Sequence, residues 1–234
     1  MISRISKSVA LTVWLFVLLY TPPLISFNVL HLVTAVSFIV LLQKYSLQLR
    51  IALRCRGIAV LMLGFGIALI LLFTTLVFTT RNFTQMYSIA IIPTEVLISS
   101  LLFVFVTKSQ GLSFDHALIL ILNAALLQAI ISVAMFFNPV IKRLIIDNFL
   151  IYGDVTGSMS YWSVVRTNGF STGLNFAMPV VQGFMASIAT AYSLRKSFLY
   201  ILYVPPLLFS VLVNARTGIV VFAVSSLVFI MMSL

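Results

Sequence analysis

The chain has 234 residues, of which 62% are hydrophobic and only 8% are charged, and its formal net charge is +10. Because a soluble domain normally carries about 25% charged residues, this composition excludes a single water-facing globule. The continuous apolar runs, each of about 20 residues, are instead typical of helices that cross a membrane.

The positive charge does not indicate a nucleic-acid partner, since most Lys and Arg residues lie between apolar runs, where they signal topology. The single cysteine, Cys55, excludes an intrachain disulfide and matches no metal-binding spacing. HExxH and P-loop motifs are also absent from the sequence. We therefore expect no metal, no cofactor and no nucleic acid.

The apolar runs predict an all-α, polytopic membrane bundle of about eight transmembrane helices, which form one membrane domain over residues 1–234. The N-terminus resembles a secretory signal, but no small-residue cleavage site follows, so it is predicted to remain as the first helix. Pro205 and Pro206 predict a kink in the seventh helix. The first seven predicted helices cover residues 5–21, 24–42, 58–79, 86–106, 117–137, 176–194 and 198–213, and the eighth runs from the turn at 214–218 to the last residue.

The basic residues predict the orientation of these helices. With the N-terminus in the cytoplasm, nine Lys and Arg residues fall on the inner side: Arg4, Lys7, Lys44, Arg50, Arg54, Arg56, Lys108, Arg195 and Lys196. The five on the outer side are Arg81, Lys142, Arg143, Arg166 and Arg216. Because inner loops carry the excess of basic residues, the long polar segment at residues 138–175 is predicted to be an external, periplasmic loop.

The first part of this loop, residues 139–152, has an amphipathic pattern with Pro139 at the first helical position. Its apolar residues have helical spacing, and Lys142, Arg143 and Asp147 are predicted on the other side. A helix in the headgroup layer would bring Lys142 and Arg143 near lipid phosphates. The simpler interpretation is a connector that rests its apolar residues in lipid.

The second part of the loop combines aromatic rings with small polar residues. Tyr161 and Trp162 are suited to cover the C–H face of a sugar, and Asp154 adds a carboxylate. The planar guanidinium of Arg166 matches a phosphate with two hydrogen bonds. The pattern alone favours a solvated loop with an interfacial aromatic anchor.

Two further positions outside the loop carry candidate chemistry. Arg216 precedes Thr217 and Gly218 at the start of the last helix, where backbone amides favour an anion, although an arginine that snorkels toward water has the same pattern. Glu95 lies inside the fourth helix, two residues after Pro93, and a carboxylate within a membrane indicates function or a buried partner.

Two stretches resemble a known family. RTNGFSTGLNF (166–176), which contains Asn168 and Asn175, is similar to the stretch that closes the large periplasmic loop of O-antigen polymerases of the Wzy type and of the related O-antigen ligases. VNARTGIVVFAVSSL (213–227) resembles their later turn, in which an arginine and a small residue open a helix. The cytoplasmic N-terminus and the enlarged third external loop also fit the polymerase type.

The resemblance implies a glycosyltransferase of the bacterial inner membrane that needs neither metal nor nucleotide. Its substrate is a glycan linked to undecaprenyl pyrophosphate in membrane lipid, and a polysaccharide chain-length regulator is a further partner. By this resemblance Arg166 and Arg216 hold the pyrophosphate. The base for the attacking hydroxyl is left open among Asp154, Asp147, Glu95 and His31, while Tyr161, Trp162, Asn168, Asn175, Lys142 and Arg143 are the predicted substrate-binding residues.

Family members continue through further helices and a second sizeable external loop, whereas this sequence stops at Leu234 inside an apolar run. We therefore expect it to lack the C-terminal helices of full-length members. An O-antigen ligase is the first alternative, but its large loop is expected later in the chain. A transporter or flippase for a lipid-linked sugar is the second, favoured by proline-interrupted helices at residues 93–95 and 205–206.

Overall fold

The computed structural model describes residues 2–20, 29–54, 56–79, 83–149, 177–214 and 217–231. Within these ranges the chain forms helices and no β-strand, so the predicted all-α class is confirmed. The helices are α1 (Ile2–Tyr20), α2 (Val29–Lys44), α3 (Ser46–Arg54), α4 (Arg56–Thr79), α5 (Phe83–Ser109), α6 (Phe114–Phe137), α7 (Pro139–Phe149), α8 (Ala177–Arg195), a short 3-10 helix (Phe198–Tyr203), α9 (Val204–Asn214) and α10 (Thr217–Met231).

The helices group into two compact units, each packed mainly against itself. Unit 1 comprises Met1–Val29 and Phe114–Leu234, and unit 2 comprises Leu30–Ser113. In unit 1, α1 packs on α6, while α8 packs on α6, α9 and α10. In unit 2, α4 packs on both α3 and α5. That residues 1–234 form one membrane domain stays a prediction.

The core of unit 1 lies where α6, α8 and α9 meet, and small residues dominate it. Ala125 and Ala129 of α6 and Ala186 and Ala189 of α8 are fully buried in one apolar cluster with Leu207 of α9. Alanines three or four residues apart lie on one face of a helix and let a neighbouring backbone approach closely. Close helix packing therefore holds together the part of the molecule that contains the candidate site.

One described helix, α6, is long and apolar enough to cross a membrane. It has 24 residues, and its most apolar window has a mean hydropathy of 2.4. Shorter apolar stretches lie within α1, α2, α4, α5 and α10 and from the 3-10 helix through α9. The arrangement of about eight spanning helices stays a prediction.

The structure differs from the sequence-based prediction at two connections. Residues 46–54, which lie between the predicted second and third helices, form a further helix, α3. Residues 198–213, predicted as one kinked helix, form the 3-10 helix followed by α9. Pro205 and Pro206 stand in the first turn of α9, where their missing N–H groups would have no intrahelical acceptor, so they begin a helix instead of bending one.

Candidate functional site

The starts of α8 and α10 lie side by side in unit 1. A Cβ atom built on Gly218 would be 2.2 Å from the carbonyl oxygen of Pro179, and one built on Gly183 would be 2.1 Å from the carbonyl oxygen of Gly218. The two backbones therefore touch, and only glycine provides the room at both positions. We call this region, where the first turns of both helices meet, the α8/α10 end.

The ends of α6 and α9 also lie in this region. Val211 of α9 comes within 2.7 Å of the Cβ position built on Gly218. Two residues earlier, the Phe209 ring packs against Phe136 and Phe137, with ring centroids 5.1 and 5.6 Å apart. Since α6 ends at Phe137 and α7 begins at Pro139, the α8/α10 end is also where α7 leaves the bundle.

A fully buried glutamine links three helices of unit 1. The Gln182 side-chain amide of α8 donates hydrogen bonds to the Tyr20 hydroxyl of α1 at 3.1 Å and to the Ala125 carbonyl of α6 at 3.2 Å. Both Gln182 and Tyr20 are almost completely excluded from solvent. In an apolar bundle such a bridge stabilises helix association, because a polar group without a partner is costly there.

Further buried polar side chains line the facing helices. We define the buried polar set as six residues of unit 1: Tyr20, Gln128, Ser132, Gln182, Ser210 and Asn214. Gln128 and Ser132 are one turn apart on α6, as are Ser210 and Asn214 on α9. The Asn214 amide donates to the Ser210 carbonyl at 2.8 Å.

Among the described residues, no hydrogen-bond partner is found for Ser132 Oγ, Ser210 Oγ or Gln182 Oε1. Each such group costs about 1–3 kcal/mol if it stays dry, so these positions favour a bound water or hydroxyl-bearing ligand. The set is neutral at ordinary pH. It can therefore donate and accept hydrogen bonds, but it supplies no ionised acid or base.

Two predicted substrate-binding cations, Lys142 and Arg143, lie on α7. Its predicted helical conformation is confirmed, and the Asn138 side chain caps it by accepting from the backbone N–H groups of Val140 and Ile141 at 2.9 and 3.2 Å. Arg143 is exposed, while Lys142 is partly buried, and this burial lowers the pKa of its ammonium below the ordinary value.

The exposure pattern of α7 corrects the predicted division of its faces. Ile145 is buried, whereas Val140 and Leu144, predicted on the same apolar side, are exposed. Lys142 is three residues from Ile145 and shares its side of the helix, so it is drawn into partial burial. The exposed side of α7 is therefore largely apolar.

The other candidates fall elsewhere. Glu95 is buried on α5 of unit 2, one turn from the fully buried Ser99. His31 and Asp147 belong to α2 and α7. Seven predicted site residues lie outside the described residues, so their roles stay predictions: Asp154, Tyr161, Trp162, Arg166, Asn168, Asn175 and Arg216.

The part of unit 1 away from the α8/α10 end contains an ionic contact. Asp115 at the start of α6 pairs with Lys196 just after α8, and the Tyr192 hydroxyl donates to the same carboxylate at 3.1 Å. In a separate hydrogen bond, the Tyr203 hydroxyl donates to the Asn123 side-chain oxygen at 2.9 Å. Because these groups satisfy each other between neighbouring helices, we interpret them as structural.

No protein-family model matches the chain, and no curated protein and no solved structure matches it either. Within the described ranges, no group of three or more His, Cys, Asp or Glu residues is placed to hold a metal ion.

Sequence reasoning missed most of the buried polar set. Two pairs of its members interrupt or border apolar runs of the sequence: Gln128 and Ser132 on α6, and Ser210 and Asn214 on α9. Their spacing of four residues on α6 and α9 was an available signal. The burial of these side chains cannot be predicted from the sequence, because it depends on which helices pack together.

Proposed function

We propose that the chain is a multi-pass protein of the bacterial inner membrane that polymerises undecaprenyl-pyrophosphate-linked oligosaccharide repeat units on the periplasmic side, with its N-terminus in the cytoplasm. The product would be an O-antigen or a capsular polysaccharide. The membrane part of the proposal is supported by the surfaces of the shorter helices. On α10 a stripe of apolar residues is more than half exposed: Val220, Val224, Leu227 and Met231. Contiguous apolar stripes are costly in water and favourable in lipid.

The contact between Gly218 and Pro179 is the observation that supports the proposed enzymatic activity. In the sequence, RTNGFSTGLNF runs into Ala177, the first residue of α8, and Arg216 directly precedes Thr217, the first residue of α10. The arginine-containing parts of the two stretches that resemble O-antigen polymerases therefore directly precede α8 and α10, and the first turns of these two helices are in contact. This supports a shared site, because motifs distant in the sequence lead to one place in unit 1.

The start of α10 suits an anionic group. Thr217 is exposed at the first turn, and the first amides of a helix have no intrahelical acceptor. Those amides and the helix dipole favour a phosphate, and a neighbouring arginine adds two charge-assisted hydrogen bonds. We propose that Arg216 and Arg166 bind the two phosphates of the lipid carrier.

In the proposed reaction, a hydroxyl oxygen of the acceptor repeat unit attacks the anomeric carbon of the donor glycan. The bond between that carbon and the pyrophosphate oxygen breaks, and undecaprenyl pyrophosphate leaves with the electron pair. The hydroxyl proton passes to a carboxylate or histidine, with Asp154, Asp147, Glu95 and His31 as the candidates. Since the leaving group is already activated, the enzyme mainly supplies positioning and charge stabilisation.

A transporter or flippase for a lipid-linked sugar is the second candidate. The buried Glu95 on α5 favours it, because intramembrane carboxylates commonly serve ion or proton pathways. An O-antigen ligase is the third. The glycan profile of a strain lacking the protein separates these functions: loss of a polymerase leaves single repeat units on lipid A core, whereas loss of a ligase or flippase leaves none.

The proposed binding of phosphate by Arg166 and Arg216 is tested by complementation of that strain. We expect Arg166→Ala and Arg216→Ala each to abolish the polymer ladder while single repeat units and protein level are retained. Arg195→Ala is the matched control, because Arg195 is an exposed arginine at the opposite end of α8. Normal ladders in both the Arg166 and the Arg216 variants would refute the proposed phosphate binding by these two residues.

A further inference from the structure

We propose that α3 and the cations beside it form a binding surface for the headgroups of anionic lipids. The inference rests on the proposed membrane placement of α2 and α4, between which α3 lies in the sequence. It does not depend on the polymerase reaction, and it concerns a part of unit 2 to which no site has been assigned.

The charge around α3 is of one sign. The stretch 43–57 contains Lys44, Arg50, Arg54 and Arg56 and no Asp or Glu. Lys44 and Arg50 are exposed. By comparison, α7, the other short amphipathic helix, has two cations and Asp147. The α3 stretch therefore offers phosphates more uncompensated positive charge.

A further exposed cation, Lys108 at the C-terminal end of α5, lies near this stretch. Tyr45, which separates α2 from α3, hydrogen-bonds through its hydroxyl to Ser109 at 3.1 Å and stacks on Phe105 with centroids 6.0 Å apart. The Lys44 ammonium lies 5.7 Å from the centroid of the Tyr45 ring. Because Ser109 directly follows the exposed Lys108, this contact brings the C-terminal end of α5 to the α2–α3 corner. Lys44 and Lys108 thus lie at the α2–α3 corner, and Arg50 follows on α3.

Apolar side chains complete the surface. Leu47 and Ile51, one turn apart on α3, are 66% and 62% exposed. Helices of this composition lie in the plane of a membrane, with apolar side chains at the acyl boundary and Lys and Arg at the phosphates. The flanking helices also expose apolar side chains near α3 in the sequence, Leu42 of α2 and Val60 of α4. The exposed apolar side chains and the single sign of charge together favour an anionic bilayer surface over an acidic protein.

The contribution of the basic residues is tested by measuring lipid binding. The full chain in a neutral detergent is titrated with phosphatidylglycerol or phosphatidylcholine and followed by native mass spectrometry. A basic residue at a membrane surface contributes a factor of about five in binding. We expect Arg50→Gln and Lys108→Gln each to weaken phosphatidylglycerol binding about fivefold and to leave phosphatidylcholine binding unchanged. Arg195→Gln, which removes an exposed arginine of unit 1, is the matched control, and equal losses in all three variants would overturn the proposal.

The location of the apolar pair is tested independently with a spin label. The label is attached to Ile51→Cys in a Cys55→Ser background, in bilayers that contain phosphatidylglycerol. We expect high accessibility to oxygen and low accessibility to a water-soluble nickel chelate. Preferential accessibility to nickel would place α3 in water, and protection from both reagents would indicate a protein partner; either result overturns the inference. Neither measurement reads polymer formation, so failure here is distinguishable from failure of the proposed enzymatic function.

Discussion

Gly183 and Gly218 bring α8 and α10 into backbone contact: a Cβ atom on Gly183 would lie 2.1 Å from the Gly218 carbonyl oxygen. No rotation of a side chain relieves such an overlap, because the obstructing atom belongs to the backbone. The first turns of the two helices can meet only because neither position carries a side chain.

We expect Gly183→Ala and Gly218→Ala each to destabilise the protein by about 1–3 kcal/mol, the range for overpacked cores. Gly64→Ala on α4 is the matched control, because a Cβ there meets nothing within 4 Å. Its expected effect is between zero and a gain of about 1 kcal/mol, since alanine forms helix better than glycine. Unfolding in mixed micelles gives all three values. A stable Gly218→Ala variant would show that the helix contact is looser than the structure has it.

The bridge between Tyr20 and Gln182 provides a second prediction. Tyr20→Phe removes one acceptor of the Gln182 amide, and Gln182→Leu removes the donor but keeps the volume. Coupling energies of interhelical hydrogen bonds in membrane proteins average about 0.6 kcal/mol and reach about 1.7 kcal/mol. We expect a double-mutant cycle of these variants to give a coupling within that range. A coupling of zero would mean that the two side chains do not interact in the folded protein.

These two contacts show where prediction from the sequence stops. The boundaries of α6 and α7 follow from apolar runs and from Pro139, and the structure places their starts within three residues of the prediction. The glycine contact and the Gln182 bridge join residues far apart in the chain, so no local pattern indicates them. The pattern that predicts spanning helices, a run of about 20 apolar residues, does not detect α3, because this helix has only nine residues and Arg50 and Arg54 interrupt its apolar ones.

The pH dependence of stability is predicted to include a contribution from Lys142. Burial lowers its pKa below the ordinary value of 10.5, so just below pH 10.5 the unfolded chain binds more protons than the folded one. Stability therefore rises with pH in that window, while below the folded-state pKa the penalty for burying the charge is constant.

We expect Lys142→Met to flatten this rise, measured as the change in Tm between pH 8 and pH 10. Lys108→Met, which removes an exposed lysine, is the control. An unaltered rise in Lys142→Met would contradict the assignment of the effect to this ammonium.

The role of Glu95 is tested by an isosteric change. Glu95 is buried on α5, and Glu95→Gln removes the charge with almost no change in volume. We expect the variant to reach wild-type protein levels and lose the polymer ladder, because a buried carboxylate in a membrane helix is retained for function more often than for stability. Glu95→Asp, which restores the charge on a shorter side chain, should recover part of the ladder. A normal ladder in Glu95→Gln would remove this residue from the candidates for the base.

The predicted topology is tested with single cysteines in a Cys55→Ser background. Ser158 lies in the predicted external loop, so Ser158→Cys should react with an impermeant thiol reagent in intact spheroplasts. Gln110, an exposed residue in the turn after α5, lies on the predicted inner side, so Gln110→Cys should react only after lysis.

The two cysteines together test the topology better than either site alone, because α6 and α7 separate the two positions in the sequence. If α6 crosses the membrane, the two cysteines must differ in accessibility, and the reverse pattern would place the proposed pyrophosphate site on the cytoplasmic side. Reaction of both in intact spheroplasts would show that α6 does not span the bilayer.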